Sequence, residues 1–166
     1  MKCRKIFPWR KRFRGASRYY AKLHREARSF SFPLGDDQWY DFHHVHFDFS
    51  GHGRRSVKHH REHLRVLFVA FRRVLADVRQ SSRPLQVFVS ISPVCWPEGD
   101  ALYIHTPNPN GTAFPHTFTG VSWRVTPPAF LREFVSGESW DIGVKEQDGQ
   151  RWFVIRDGAT SPTCAP

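Results

Sequence analysis

A chain of 166 residues fits one domain with a terminal extension, and its 40% hydrophobic and 15% aromatic content excludes global disorder. No apolar window is long enough to suggest a transmembrane helix, and the basic N-terminus lacks the apolar stretch of a signal peptide. The formal charge of +10 is unevenly placed: residues 1–30 carry +10, 31–53 carry −4, 54–83 carry +7 and 84–166 carry −3. The excess therefore belongs to an N-terminal arm, and the rest is neutral in sum but polarised.

Residues 1–15 read as an exposed basic segment in which Phe7, Trp9 and Phe13 interrupt Lys and Arg. Ser17 is expected to cap a short helix running to about Arg28. Tyr19, Tyr20, Leu23, Ala27 and Phe30 form a narrow apolar stripe on it. A turn-rich connection leads to Trp39–Phe49, whose alternation predicts a long strand.

Ser56 to Arg79 is the clearest helix. Val57, His60, Leu64, Leu67, Phe68, Phe71, Leu75 and Val78 recur at helical spacing. His60 sits on that stripe and is expected to be buried. Leu85 to Ser92 and Ala101 to His105 alternate as strands. Val121, Trp123 and Val125 suggest another. Pro127-Pro128 opens a short helix over Ala129–Val135, and 140–145 with 151–156 read as a hairpin around Gln147-Asp148-Gly149-Gln150.

These elements predict an α+β fold. A mostly antiparallel sheet in a two-layer domain is covered on one face by one long amphipathic helix. Only the 39–49 and 85–92 strands are joined by a chain long enough for a helical crossover, so these two are expected to run parallel. The expected organisation is a basic arm with a short helix over 1–30, a single domain over 31–157 and a disordered tail over 158–166.

The alternation also sorts side chains. Val45, Phe47, Phe49, Val87, Val89, Ile91, Leu102 and Ile104 should lie under the helix. Phe42, His44, His46, Asp48, Ser90, Ser92, Tyr103 and His105 should share an open polar face. His44-x-His46-x-Asp48 offers two imidazoles and a carboxylate on one side of a strand, a donor set that suits zinc or another divalent first-row metal. The motif resembles the opening ligand motif of binuclear metallohydrolases of the metallo-β-lactamase fold, with Phe49 standing where that motif has a further His. The resemblance spans five residues. His52 or His105 would complete such a site or act as acid or base. A second histidine group, His59 and His63, has the i, i+4 spacing of a helical metal clip.

Three cysteines, Cys3, Cys95 and Cys164, make no framework of disulfides and no CxxC pair, which favours a reducing, cytoplasmic setting. The basic patch that includes Arg54, Arg55, Arg61 and Arg65 has few acidic partners nearby in sequence, so its field is expected to reach an acidic partner, with Tyr103 contributing.

Two functions follow. The first is a small binding module for an acidic partner, either a nucleic acid or an acidic protein that it caps in an inhibitor or immunity role. The second is a metal-dependent hydrolase or phosphodiesterase. In it His44, His46 and Asp48 would hold an ion that lowers the pKa of a nucleophilic water.

Overall fold

The computed structural model describes residues 15–31, 43–45, 57–81, 85–92, 100–105, 118–147 and 149–158. In chain order the elements are α1 (Ala16–Ser29), β1 (His43–Val45), α2 (Val57–Gln80), β2 (Gln86–Ile91), β3 (Ala101–His105), β4 (Ser122–Trp123), α3 (Ala129–Val135), β5 (Trp140–Gln147) and β6 (Gln150–Asp157). The fold is α+β. The six strands among the described residues form one sheet in the order β1-β3-β2-β6-β5-β4, with every neighbouring pair antiparallel.

Both β1 and β2 run antiparallel to β3, so they point the same way with β3 between them. The expected parallel pair is thus a pair of directions and not of hydrogen-bonded neighbours. A long connection frees a chain to cross over, and β3 takes the intervening place by two antiparallel ladders.

The apolar stripe of α2 packs on the sheet as its period requires. Leu64, Leu67, Phe68, Phe71, Val74, Leu75 and Val78 are buried with Val87, Val89 and Ile91 of β2 and Leu102 and Ile104 of β3. Phe153, Ile155 and Ile142 extend the core across β6 and β5, and Leu131, Phe134 and Val135 of α3 close its end. Alternate residues along each strand do this because strand side chains alternate between faces.

Two features depart from a single helix over a polar-backed sheet. α1 stacks behind α2: Leu23 and Ala27 are buried with Val66 and Ala70, flanked by Tyr19, Tyr20 and Val69. The long helix is therefore buried on two sides. Away from α2, the sheet also carries a second small core, in which Phe88, Phe118 and Val154 pack with Tyr103, Val121 and Trp123. In its described part, the face expected to be open and polar is covered.

Helix and strand limits also have local causes. Gly15, at φ 89°, occupies the N-cap of α1, so Ser17 lies inside the helix and not at its cap. Glycine reaches that left-handed conformation without a Cβ clash. The strand expected over Val121–Val125 shortens to Ser122–Trp123, because Arg124 adopts φ 64° and breaks the alternation.

Gly143 lies opposite Trp123 in the β4–β5 ladder. A Cβ there would meet Val121 Cγ1, and Trp123 Cε3 at 2.9 Å. Gly143→Ala is expected to cost about 1–3 kcal/mol by pushing β4 off the sheet. The urea midpoint measures this, and an unchanged midpoint would show that β4 yields freely.

Candidate functional site

Several predicted site residues lie outside the described residues: His46, Asp48, His52, Arg54 and Arg55, with the side chains of His44 and His59. The backbone of β1 sets His44 opposite Tyr103. Among the described residues no group of three or more His, Cys, Asp or Glu is arranged to hold a metal ion.

The described members of the predicted set are buried or engaged. His105 is 5% exposed and lies opposite Gln86, itself buried, on the face away from α2. Tyr103 meets Phe118 edge-on at 5.2 Å, while Phe118 also packs on Phe88 at 4.8 Å. Burial raises the Tyr103 phenol pKa, and the charge of Asp100 raises it further. Its ring belongs to the second core, which is not where a partner-contacting side chain is expected.

The structure assembles a different polar group. His60 and His63, one helical turn apart on α2, both turn toward Asp100, just before β3. Each Nε2 lies 3.5 Å from Asp100 Oδ2. The Asp100 side chain is 0% exposed, that of His63 3% and that of His60 12%. The other oxygen, Oδ1, accepts a 2.7 Å hydrogen bond from the Ser92 backbone N–H at the end of β2. Phe130 of α3 packs on the His60 ring at 6.0 Å.

A carboxylate taken out of water loses hydration that its neighbours must replace. Burial accordingly raises the Asp100 pKa, and the His60 contact and the Ser92 N–H offset part of that rise. The arrangement can share or move a proton between a carboxyl and two imidazoles under the helix. Asp100 also joins β2 to β3 across the connection over 93–99.

Asp100 was readable in part. It is in phase with Leu102 and Ile104, and His60 is in phase with the α2 stripe. A charged residue on a buried face calls for a polar partner. His63 stands beside His60 at Asp100, while the side chain of His59, the other half of the expected His59–His63 clip, lies outside the described residues.

The basic surfaces divide sharply. Each described arginine of α2 has a carboxylate partner. Arg61 pairs with Glu133 of α3, and Arg65 with Glu62. Arg72 reaches Glu138 at 3.0 Å, Arg73 reaches Asp77 at 3.4 Å and Arg79 reaches the buried Asp157 at 2.9 Å. Hydrogen bonding to Glu133 raises the Arg61 pKa, and Arg61 in turn lowers that of Glu133. Three of these five partners come from the acidic C-terminal half. The described arginines of α2 thus each have an acidic neighbour within the fold, while Arg54 and Arg55 of the expected patch lie outside the described residues.

α1 differs. His24 Nε2 lies 3.3 Å from Glu62 Oε2 and ties α1 to α2. Lys22 pairs with Glu26 at 3.5 Å. Among the described residues Arg18, Arg25 and Arg28 have no carboxylate partner. Arg18, Ala21, Lys22, Arg25, Arg28 and Ser29 are all exposed. At helical spacing they fall in an arc of about 120°, opposite the stripe that packs on α2. Ala21 and Ser29 are small, and with His24, Arg25 and Arg28 they line a shallow groove.

Comparison with protein-family models, curated proteins and solved structures finds nothing that matches this chain. Among the described residues no helix is long and apolar enough to cross a membrane.

Proposed function

We propose that the protein is a cytoplasmic binding module for an acidic macromolecule, engaged electrostatically through the outer face of α1. One observation carries this reading. The arginines of α2 spend their charge on carboxylates of the same chain, whereas Arg18, Arg25 and Arg28 share one exposed arc and have no carboxylate partner among the described residues. A localised field of one sign speeds encounter with an oppositely charged partner and orients it.

The test compares two variants with equal loss of charge. R18Q/R25Q/R28Q removes three cations from α1, and R61Q/R65Q/R73Q removes three from α2. The Arg61, Arg65 and Arg73 side chains are each more than 40% exposed, and ion pairs made by cations so open to water contribute little to stability, so both chains should fold. On immobilised heparin, used as a generic polyanion, the α1 variant is expected to elute at clearly lower salt than the α2 variant. Elution of both at the same salt would mean that only net charge is read, and the proposal would fail.

A further inference from the structure

Resting on the α1 reading above, we infer that the occupant of this face is the phosphate backbone of a double-stranded nucleic acid. The arc is the outer surface of a single helix. Its cations, from Arg18 to Arg28, extend about 15 Å along the axis. Duplex DNA carries one charge per roughly 1.7 Å of its axis, so several phosphates lie within that reach. Three of the four cations are arginines, whose planar forks match phosphate oxygens in a bidentate way. Two of them, Arg25 and Arg28, line the groove beside Ala21 and Ser29, where phosphate oxygens can sit near the guanidinium groups.

Other acidic partners fit this face less well. Binding of single strands relies on aromatic platforms for the bases. The arc holds no aromatic ring, because Tyr19 and Tyr20 pack on the α2 side of the helix. A protein partner that takes a helix into its groove needs large apolar anchors at successive turns. The arc offers only Ala21. Ser29 is also committed, its hydroxyl donating to the Arg25 and Glu26 carbonyls at 3.0 and 3.2 Å. The face can therefore grip backbone phosphates and has little with which to read base sequence.

The experiment is fluorescence anisotropy on the full chain with three probes: a labelled 20-base-pair duplex, a 20-nucleotide oligo-dT and polyglutamate of matched charge. Salt is varied from about 50 to 200 mM. The duplex should bind best, and two duplexes of unrelated sequence should bind within about twofold of one another. Each lost phosphate contact lowers the slope of log K against log salt by about 0.9, so R18Q/R25Q/R28Q should lose about 2.7. R18K/R25K/R28K keeps the charge and should keep most of the slope, which separates charge from misfolding.

Tighter binding of oligo-dT than of duplex would overturn this inference and leave the α1 reading in place. So would equal binding of polyglutamate. Failure of the native chain to bind any of the three, or an α1 variant with an unchanged slope, would overturn the α1 reading and this inference with it.

Discussion

Asp100→Asn is expected to gain stability relative to the native chain as pH rises. The carboxyl is fully buried, and burial raises its pKa more than His60 and the Ser92 N–H lower it. A carboxyl whose pKa is higher in the folded chain binds more protons there than in the unfolded chain between the two pKa values. The native chain is then most stabilised by this group below the ordinary aspartate pKa. It loses that contribution as pH rises through the raised value. Asparagine has no such proton to lose. Its amide oxygen can still accept from the Ser92 N–H, and its NH₂ can donate to an imidazole.

The difference in unfolding free energy between the two chains should therefore move toward the variant from pH 4 to pH 8. Each unit of rise in the Asp100 pKa contributes about 1.4 kcal/mol to that difference. Asp100→Ala separates the hydrogen bond from the charge. It strands the buried Ser92 N–H, which should cost about 1–3 kcal/mol where the carboxyl is protonated. Urea titrations of the three chains at each pH supply the measurement. A constant difference across the range would show that Asp100 titrates as it does in the unfolded chain.

Phe68→Ala is expected to be the most damaging single truncation, at about 3–5 kcal/mol. That is a large share of the roughly 5–15 kcal/mol that holds a typical domain folded. The ring is fully buried between two others. Phe134 stacks on it at 5.2 Å and Trp140 at 5.7 Å, while Phe71 meets it edge-on at 6.3 Å. Those neighbours come from α3, β5 and α2, so one cavity would loosen three elements together. Arg72 lies over Trp140 at 5.1 Å and donates to the Phe134 carbonyl at 2.9 Å, which fixes the far wall of the stack. Phe68→Leu refills most of the volume and should lose clearly less. Urea denaturation followed by circular dichroism decides between them. A loss below about 1 kcal/mol for the alanine variant would mean that the stack can collapse onto the gap.

The elements that were legible in the sequence are those whose pattern is set by near neighbours. The stripe from Leu64 to Val78 needs only the helical repeat, and it packs where that repeat sends it. Ala101–His105 and the hairpin around Gly149 are likewise local, the latter helped by a glycine at φ 71°. The sides of Val87, Val89, Ile91, Leu102 and Ile104 followed from alternation alone.

Burial that depends on a distant partner was not legible. Val66 and Ala70 interrupt the polar side of α2, and only α1 explains why they are covered. Nothing near Phe88 in the sequence shows that Phe118 will close over it. Asp100 falls between these cases. Its phase with Leu102 points under the helix, but Pro93, Pro97 and Gly99 before it are turn formers, so no strand pattern extends back to it in the sequence.

The charge ends differently from how it began. Sequence by itself determined the inventory: a net +10, an excess equal to that of the first 30 residues, and a body of alternating sign. It also determined which faces of helix and strand are apolar, because those periods are local geometry. Only the tertiary structure decided which charges cancel. Arg61, Arg72 and Arg79 meet Glu133, Glu138 and Asp157 across 72, 66 and 78 residues of chain. Strong ion pairing needs a separation of a few ångströms, and chain spacing does not foretell it. Folding brings those acids to α2 and brings none of the described ones to Arg18, Arg25 or Arg28. Arg18, Arg25 and Arg28 stay exposed on the outer face of α1.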